Sequence, residues 1–388
     1  MINGVAPKDK SGVRSGTTLA GRVVQSRYAS HNGTTMSPRE RFIAAATRQR
    51  PDVVPTAPYN GNSGAAYAGV PISLYNTDGK RMADAQKKTW DAFRTDVVVA
   101  QSDNYYIAEG FGCRINQPPD STPNLVQPAV ANLSEIGRLK VPDPYTDGRM
   151  HVYLDAVHLL REHVGDDAAV RGPGTGPFSL ASYLAGGTEE FLMEIADAEM
   201  NEDRDKERRI FELMELSTAA LIAFSRALLE AGSDTAQAGD SLASLSMISP
   251  AIYEKYVFPF ERKFFETITP VAHARGAVTI LHICGDTRKI LPLMAETGAD
   301  VLEIDSKVDL TEARDLTAGR VALMGNLDPT GVLFEGAPDR VTSESVRCMR
   351  ACDALEGGFI LGSGCEVVMR TPPENIHAMV AAAHGFAG

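Results

Sequence analysis

The sequence predicts an α/β protein whose single domain is a (β/α)8 barrel, also called a TIM barrel. Eight short apolar runs are separated by segments with helical periodicity, and each run ends in polar or small residues. Strands that alternate with helices in this way are typical of a barrel of parallel strands, with a doubly wound open sheet as the main competing architecture. The chain of 388 residues is long enough for one such domain of ~250 residues or more.

The predicted strands follow one another along the whole chain. They cover residues 53–58, 96–103, 168–176, 233–240, 277–286, 300–305, 320–326 and 358–365. Helical periodicity is clearest at 190–232 and at 251–276, and the second segment ends at Gly276. Near the start, Ser37 followed three residues later by Glu40 has the pattern of a capping box, which predicts that a helix begins there.

The first 35 residues differ in composition from the rest of the chain. They are rich in Gly, Ser, Thr and Arg and show no sustained apolar periodicity. We therefore expect residues 1–35 to be a flexible or peripheral N-terminal extension and residues 36–388 to form the barrel. An organellar transit peptide shares this basic composition, but the segment shows no convincing amphipathic face. An extension caused by an alternative start site agrees with the composition at least as well.

Composition and charge exclude several classes of function. The formal net charge of −12 and the pI of about 5.2 argue against binding to nucleic acid, which needs clustered Lys and Arg. No run approaches the ~18 apolar residues of a membrane span, and the start lacks the apolar block of a secretory signal. We expect a cytoplasmic protein with neither a nucleic acid nor a membrane as partner.

The five cysteines suit a reducing compartment better than a disulfide framework, because they are odd in number and scattered through the chain. Cys348 and Cys352 have i,i+4 spacing inside a helical pattern. Packing or a solvated helix face is favoured for this pair over a metal site. All five, at 113, 284, 348, 352 and 365, are available as thiolates.

Acidic residues follow several of the predicted strands. In a barrel the carboxyl ends of the strands meet at one rim, and the chemistry of barrel enzymes is located there. We expect Asp103 and Asp240 to orient the substrate at this rim, although Asp at the end of a strand also serves as a helix N-cap. Tyr105 and Tyr106 fit a substrate contact and loop packing equally well.

The stretch "VTILHICGDT" raises the possibility of a metal site. Side chains at i and i+2 of a strand share a face, so His282 and Cys284 point the same way, about 7 Å apart along the chain. A buried structural thiol beside a hydrogen-bonded histidine is the alternative. Cys365 ends the eighth run and would supply a third ligand. One imidazole and two thiols form a ligand set that suits zinc. Asp305, at the end of the sixth run, is a plausible fourth ligand.

Five stretches carry a resemblance to known proteins: "MSPRERFIAAATRQRPDVVP", "GPGTGPFSLASYL", "LHICGDTRKILPLMAETGADVLEIDSKVDL", "LMGNLDPTGVLFEG" and "LGSGCEVVMRTPPENIHAMV". They resemble the uroporphyrinogen decarboxylase superfamily, and within it the zinc- and corrinoid-dependent branch typified by methylcobamide:coenzyme M methyltransferases. The resemblance covers about residues 36–386. It implies zinc at His282, Cys284 and Cys365, and the more distant cobalamin-independent methionine synthase fold adds weak support for Asp305.

The resemblance implies an enzyme that moves a methyl group between a corrinoid cofactor, such as methylcobalamin, and a small thiol or methylated substrate. A zinc ion would activate the thiol, since a thiol alone is mostly protonated near neutral pH. The chain lacks the D-x-H-x-x-G signature of a corrinoid-binding histidine, so we expect the corrinoid on a small partner protein. Both directions of transfer occur among relatives.

Two alternatives remain open at this point. In uroporphyrinogen decarboxylases, arginines of the first connection bind the substrate's carboxylates, and an Asp in the position of Asp103 binds the tetrapyrrole. Here that connection contains no arginine, and Cys365 stands where the decarboxylases carry a histidine. A polyanionic substrate would then lack its counter-charges. A barrel that binds a corrinoid or a thiol without turnover is the other alternative.

Overall fold

Parallel strands form the centre of the fold in the computed structural model, which describes residues 36–388. The expected N-terminal extension, residues 1–35, lies outside the described residues. Within the described range the barrel strands are β1 Thr56–Ala57, β2 Val97–Val99, β3 Ala169–Arg171, β4 Thr235–Gly239, β5 Val278–Ile283, β6 Val301–Ile304, β7 Ala322–Leu327 and β8 Phe359–Ser363. Each overlaps one of the eight predicted runs, so the predicted (β/α)8 barrel is confirmed.

The strands close into a barrel through parallel pairing. One continuous sheet has the order β1-β8-β7-β6-β5-β4, and β2 pairs with β3. Backbone hydrogen bonds join these two groups: Asp96 N donates to Thr56 O (3.1 Å) between β2 and β1, and Asp234 N donates to Val170 O (2.8 Å) between β4 and β3. A doubly wound open sheet, the competing architecture, would leave those edges apart.

Helices cover the outside of the strands and occupy the connections. The α-helices are Pro38–Ala46, Asn62–Ala68, Ile72–Tyr75, Gly79–Phe93, Tyr106–Gly110, Met150–Val164, Pro177–Leu184, Thr188–Met200, Arg204–Ala231, Pro250–Ile252, Phe258–His273, Leu291–Met294, Leu310–Thr317, Pro338–Ala351 and Pro373–His384. Short 3-10 helices span Leu133–Arg138, Ser241–Ala243 and Ala354–Glu356, and π-helical turns span Tyr253–Val257 and Pro329–Phe334. Within residues 36–388, no helix combines the length and the apolar character that a membrane crossing needs.

Two local features differ from the sequence-based expectation. The segment 190–232 is two helices, because the side chain of Asp203 accepts hydrogen bonds from Asp205 N and Lys206 N and begins a new helix. The long connection after β2 contains an antiparallel pair of strands, Arg114–Ile115 and Leu125–Gln127, that was not predicted. Both features lie in connections rather than in the barrel.

The first helix closes the amino-terminal end of the barrel. Its predicted capping box is confirmed, since Ser37 N donates to Glu40 Oε2 (2.8 Å) and Glu40 N donates to Ser37 Oγ (3.2 Å). Phe42 of this helix packs among the inward-facing apolar residues of the strands. Arg41 donates to Asp96 Oδ1 (2.7 Å) just before β2, and both side chains are buried.

Inward-facing side chains form an apolar layer and, above it, a polar layer. Because alternate residues of a strand share a face, Val278 and Ile280 of β5 enter the inner core, and His282 follows them on the same face. On β6, Val301 enters the inner core and Glu303 follows in the same way. The polar layer at the carboxyl end of the strands comprises Arg171, Gln237, His282 and Glu303.

Gly174 allows the chain that follows β3 to approach β4 closely at the carboxyl end of the strands. A Cβ added at this position would lie 1.8 Å from Gln237 O, and Gly239 N donates to Gly174 O (2.7 Å). We predict that Gly174→Ala forces the two strands apart and lowers the free energy of unfolding by about 3 kcal/mol or more. The measurement is the midpoint of urea denaturation.

The matched control for this prediction is Gly137→Ala. A Cβ at Gly137 would meet no atom within 4 Å, so we expect a change within about 0.5 kcal/mol. Equal midpoints for Gly174→Ala and Gly137→Ala would show that the close approach of β3 and β4 is not needed for stability.

Candidate metal centre

His282, Cys284 and Cys365 converge at the carboxyl end of the barrel. Their ligand atoms all lie within 4.8 Å of one another. His282 Nε2 is 3.1 Å from Cys284 Sγ, which is 3.7 Å from Cys365 Sγ. Although β5 and β8 are not adjacent, their ends meet near the barrel axis. Within residues 36–388 this is the only group of three or more His, Cys, Asp or Glu side chains close enough to hold a metal ion.

The orientation of His282 suits metal binding. Its Nδ1 lies 3.1 Å from the main-chain oxygen of Glu303 and 3.4 Å from Glu303 Oε2. An Nδ1–H group that donates to Glu303 leaves the lone pair of Nε2 directed at the two sulfurs. Histidine ligands of metals are commonly fixed by such a bond from the other ring nitrogen. One imidazole and two thiols form a donor set typical of zinc rather than of Mg²⁺ or Ca²⁺.

The protonation of the three side chains is strongly coupled. A hydrogen bond between the two sulfurs lowers the pKa of Cys284 well below its usual value, against the effect of burial, and raises the pKa of Cys365. Burial disfavours the imidazolium of His282, but the Cys284 thiolate and Glu303 outweigh it and raise the pKa of His282 to about 9. Binding of a divalent cation would displace the protons that His282 and Cys365 hold.

Asp305 does not join this group. Its Oδ2 accepts a hydrogen bond from Gly285 N (2.8 Å), and its Oδ1 accepts one from Lys307 N (3.0 Å). Both oxygens are therefore engaged with the backbone, and the prediction of Asp305 as a fourth ligand is not supported. Its contacts instead hold the turn that directly follows Cys284.

Asp103 is a buried anchor of the long connection after β2. Its two oxygens accept hydrogen bonds from Arg149 Nη1 (2.8 Å) and Nη2 (2.9 Å), and one accepts from Tyr105 N (2.9 Å). Tyr105 and Tyr106 stack against neighbouring aromatic rings, which fits the loop-packing interpretation. That Asp103 contacts the substrate stays a prediction, and the hydrogen bonds described here do not support it.

Asp240 is fully buried at the end of β4. Its oxygens accept hydrogen bonds from Phe178 N (3.0 Å) and Ser179 N (2.6 Å) at the start of the helix Pro177–Leu184. Asp240 thus accepts from the first turn of a helix, as in the N-cap alternative, although that helix belongs to a different connection. Burial raises the pKa of Asp240 to about 6. Its proposed contact with substrate also stays a prediction, and the structure gives it no accessible surface.

Sequence reasoning missed four residues near the three ligands. Glu303 lies inside the predicted strand "DVLEID" and Arg171 inside "AAVRGPGTG", and the available signal was a charge at an inward position of an apolar strand. Ser241 Oγ lies 3.4 Å from Cys284 Sγ. Glu366 accepts a hydrogen bond from Asn62 N (2.7 Å), and burial raises the pKa of Glu366 to about 7.

Cys348 and Cys352 take part in packing, as the sequence favoured. Both are buried, and Cys348 lies on the helix Pro338–Ala351 that ends just before Cys352. The Cys348 sulfur lies 3.6 Å from Asn326 Oδ1. Neither sulfur belongs to the metal-ligand group.

Comparisons with known proteins agree on one family. The family profile of uroporphyrinogen decarboxylase (URO-D) matches residues 37–386. The methylcobamide:CoM methyltransferase MtbA of Methanosarcina acetivorans is 27% identical over 357 residues, which cover 91% of this chain and 99% of the relative. A uroporphyrinogen decarboxylase of Trichlorobacter lovleyi is 28% identical over 294 residues, which cover 76% of this chain and 81% of that one.

A solved structure extends the comparison to the fold. A methyltransferase from Methanosarcina mazei superposes with a TM-score of 0.79 at 25% sequence identity, covering 90% of this chain and 98% of that chain. The chain therefore belongs to the uroporphyrinogen decarboxylase (URO-D) family.

Proposed function

We propose that this protein is a zinc-dependent methyltransferase that moves a methyl group between a corrinoid, carried by a small partner protein, and a small thiol or methylated substrate. The observation that carries the proposal is the convergence of His282 Nε2 and the sulfurs of Cys284 and Cys365 within 4.8 Å. Similarity to a methylcobamide:CoM methyltransferase over 91% of the chain supports the reaction class.

Three protein ligands leave room for one exogenous ligand, as in catalytic zinc sites. Zinc held by His282, Cys284 and Cys365 would supply the positive charge that lowers the pKa of a substrate thiol and keeps its sulfur nucleophilic. The chain's own residues set up this site. Glu303 fixes the ring of His282, and the hydroxyl of Ser241 lies within reach of the Cys284 sulfur.

The corrinoid partner is proposed to approach the carboxyl end of the barrel, where the three ligands lie. The connection after β4 borders this end, since Ser244 Oγ would lie 2.8 Å from a Cβ at Gly285, directly beside Cys284. Met247 of the same connection exposes 45% of its surface. We propose this connection as part of the surface that the partner contacts.

The contacts of Asp103 argue against the decarboxylase alternative. Its carboxylate is buried and paired with Arg149 through two hydrogen bonds, so it is not free to bind a tetrapyrrole. The connection between β1 and the helix Gly79–Phe93 contains no arginine that could bind the substrate's carboxylates. A sulfur ligand at Cys365 also favours a metal site. We therefore place tetrapyrrole decarboxylation second.

The metal content of the protein tests the proposed site. We expect about one zinc per chain in the wild type and its loss in Cys284→Ala, because removing one of three ligands weakens retention strongly. Elemental analysis after gel filtration measures it. Cys348→Ala is the control and should keep its zinc, and equal zinc in the wild type and Cys284→Ala would reject the assignment.

A methyl-transfer assay tests the reaction. With a suitable thiol we expect zinc-dependent demethylation of methylcobalamin, which is measured through the change in the cobalamin spectrum. We expect no reaction with uroporphyrinogen. Cys365→Ser should lower the rate roughly 100-fold, since an oxygen ligand weakens both zinc retention and electron donation. Cys352→Ala, which alters a sulfur outside the site, should react at the wild-type rate.

The same preparation can contradict this assignment. Release of carbon dioxide from uroporphyrinogen that a chelator does not diminish would establish the decarboxylase reading instead. Binding of methylcobalamin with no turnover, across a panel of thiols and with the partner protein present, would favour a carrier.

A further inference from the structure

We propose that Glu303, held in place by Arg171, is a positioning residue for the metal ligand His282. The inference rests on the zinc site of the proposed function but does not depend on the reaction. It concerns the side chains of an ion pair in the barrel interior, whereas the role given to Glu303 above involves only its main-chain oxygen.

Every polar group of the pair has a defined partner. Arg171 Nη1 and Nη2 donate to Glu303 Oε1 (2.8 Å) and Oε2 (2.7 Å), and Arg171 Nε donates to Gln237 Oε1 (2.7 Å). The ring of Tyr59 lies 4.4 Å from the guanidinium carbon. A guanidinium fixed by a bidentate carboxylate, an amide and a stacked ring has little freedom to rotate. Arg171 therefore holds the Glu303 carboxylate in one orientation.

That orientation places a carboxylate oxygen beside the metal ligand. Glu303 Oε2 lies 3.4 Å from His282 Nδ1, and the main-chain oxygen of Glu303 lies 3.1 Å from the same nitrogen. Both oxygens thus face the Nδ1 side of the ring. The carboxylate adds a negative charge on the side of the ring that faces away from the sulfurs. Such a charge increases electron donation from Nε2 to a metal.

The position of the pair is difficult to explain by stability alone. Both side chains are fully buried, and an ion pair in the interior commonly contributes no more stability than apolar residues of similar volume. Arg171 and Glu303 follow apolar residues on the inward faces of β3 and β6, where aliphatic side chains would fill the barrel. Arg171 offsets the cost of burying the Glu303 carboxylate, which can then remain ionised beside His282.

A second buried ion pair provides a matched control. Arg41 Nη1 donates to Asp96 Oδ1 (2.7 Å), and both side chains are as deeply buried as Arg171 and Glu303. This pair lies at the amino-terminal end of the barrel, away from the three metal ligands. Substituting Asp96→Asn therefore makes the same chemical change, carboxylate to amide in a buried arginine pair, without touching the site.

The test compares zinc affinity in full-length Glu303→Gln, Asp96→Asn and wild-type protein by competition with a chromophoric chelator. Glu303→Gln keeps the shape of the side chain and the main-chain oxygen, and we expect its dissociation constant for zinc to rise roughly 10- to 100-fold. Asp96→Asn should stay within about twofold of the wild type. At saturating zinc, the Nδ1–H proton resonance of His282 should shift in Glu303→Gln only, a change that loss of stability would not produce.

The role of Arg171 is tested through Glu303. Arg171→Lys alone should weaken zinc binding, because lysine cannot hold both carboxylate oxygens in the fork geometry of arginine. In the Glu303→Gln background, Arg171→Lys should cause no further loss, since the charge that it positions is gone. A further tenfold loss in that background would overturn the order in which Arg171 acts through Glu303.

The outcomes separate this inference from the proposed function. Equal zinc affinity in Glu303→Gln and the wild type, or an unchanged His282 resonance, overturns the positioning role even if methyl transfer is observed. The expected affinities without any methyl transfer leave the positioning role intact and contradict the proposed reaction. Wild-type protein that binds no zinc would overturn both.

Discussion

The alternation of side chains along eight parallel strands determines where the chemistry of this protein lies. Only every second residue of a strand can enter the barrel, and the interior is shared among all eight strands. Val278 and Ile280 fill the lower interior, so His282 is the next inward residue of its strand. The same two-residue step carries Glu303 above Val301. The candidate metal centre thus lies at the upper, polar end of a core that is apolar below.

The sequence predicted those parts of the site that depend on short spacing. All eight strands and the shared face of His282 and Cys284 follow from periodicity within a few residues. The pairing of Arg171 with Glu303 spans 132 positions and depends on how the barrel closes, which no local pattern reveals. Asp305 as a fourth ligand stays a prediction that its contacts do not support, because its carboxylate accepts hydrogen bonds from the backbone N–H groups of Gly285 after β5 and Lys307 after β6.

The same contacts help to separate two reactions within one family. A carboxylate at Asp103 looks from the sequence like the substrate-binding group of a decarboxylase, yet Arg149 neutralises it and the surrounding side chains bury it. A thiol at Cys365 adds a second sulfur to a histidine and a cysteine that are already placed together. The barrel is shared across the family, whereas the side chains at the rim favour metal-assisted methyl transfer.

X-ray absorption at the zinc K-edge of the purified protein tests the central claim most directly, because it reports the atoms bound to the metal without requiring a substrate. The account predicts two sulfur scatterers at about 2.3 Å and at least one nitrogen at about 2.0–2.1 Å, as expected for Cys284, Cys365 and His282. A shell of oxygen and nitrogen alone, or a single sulfur, would contradict it.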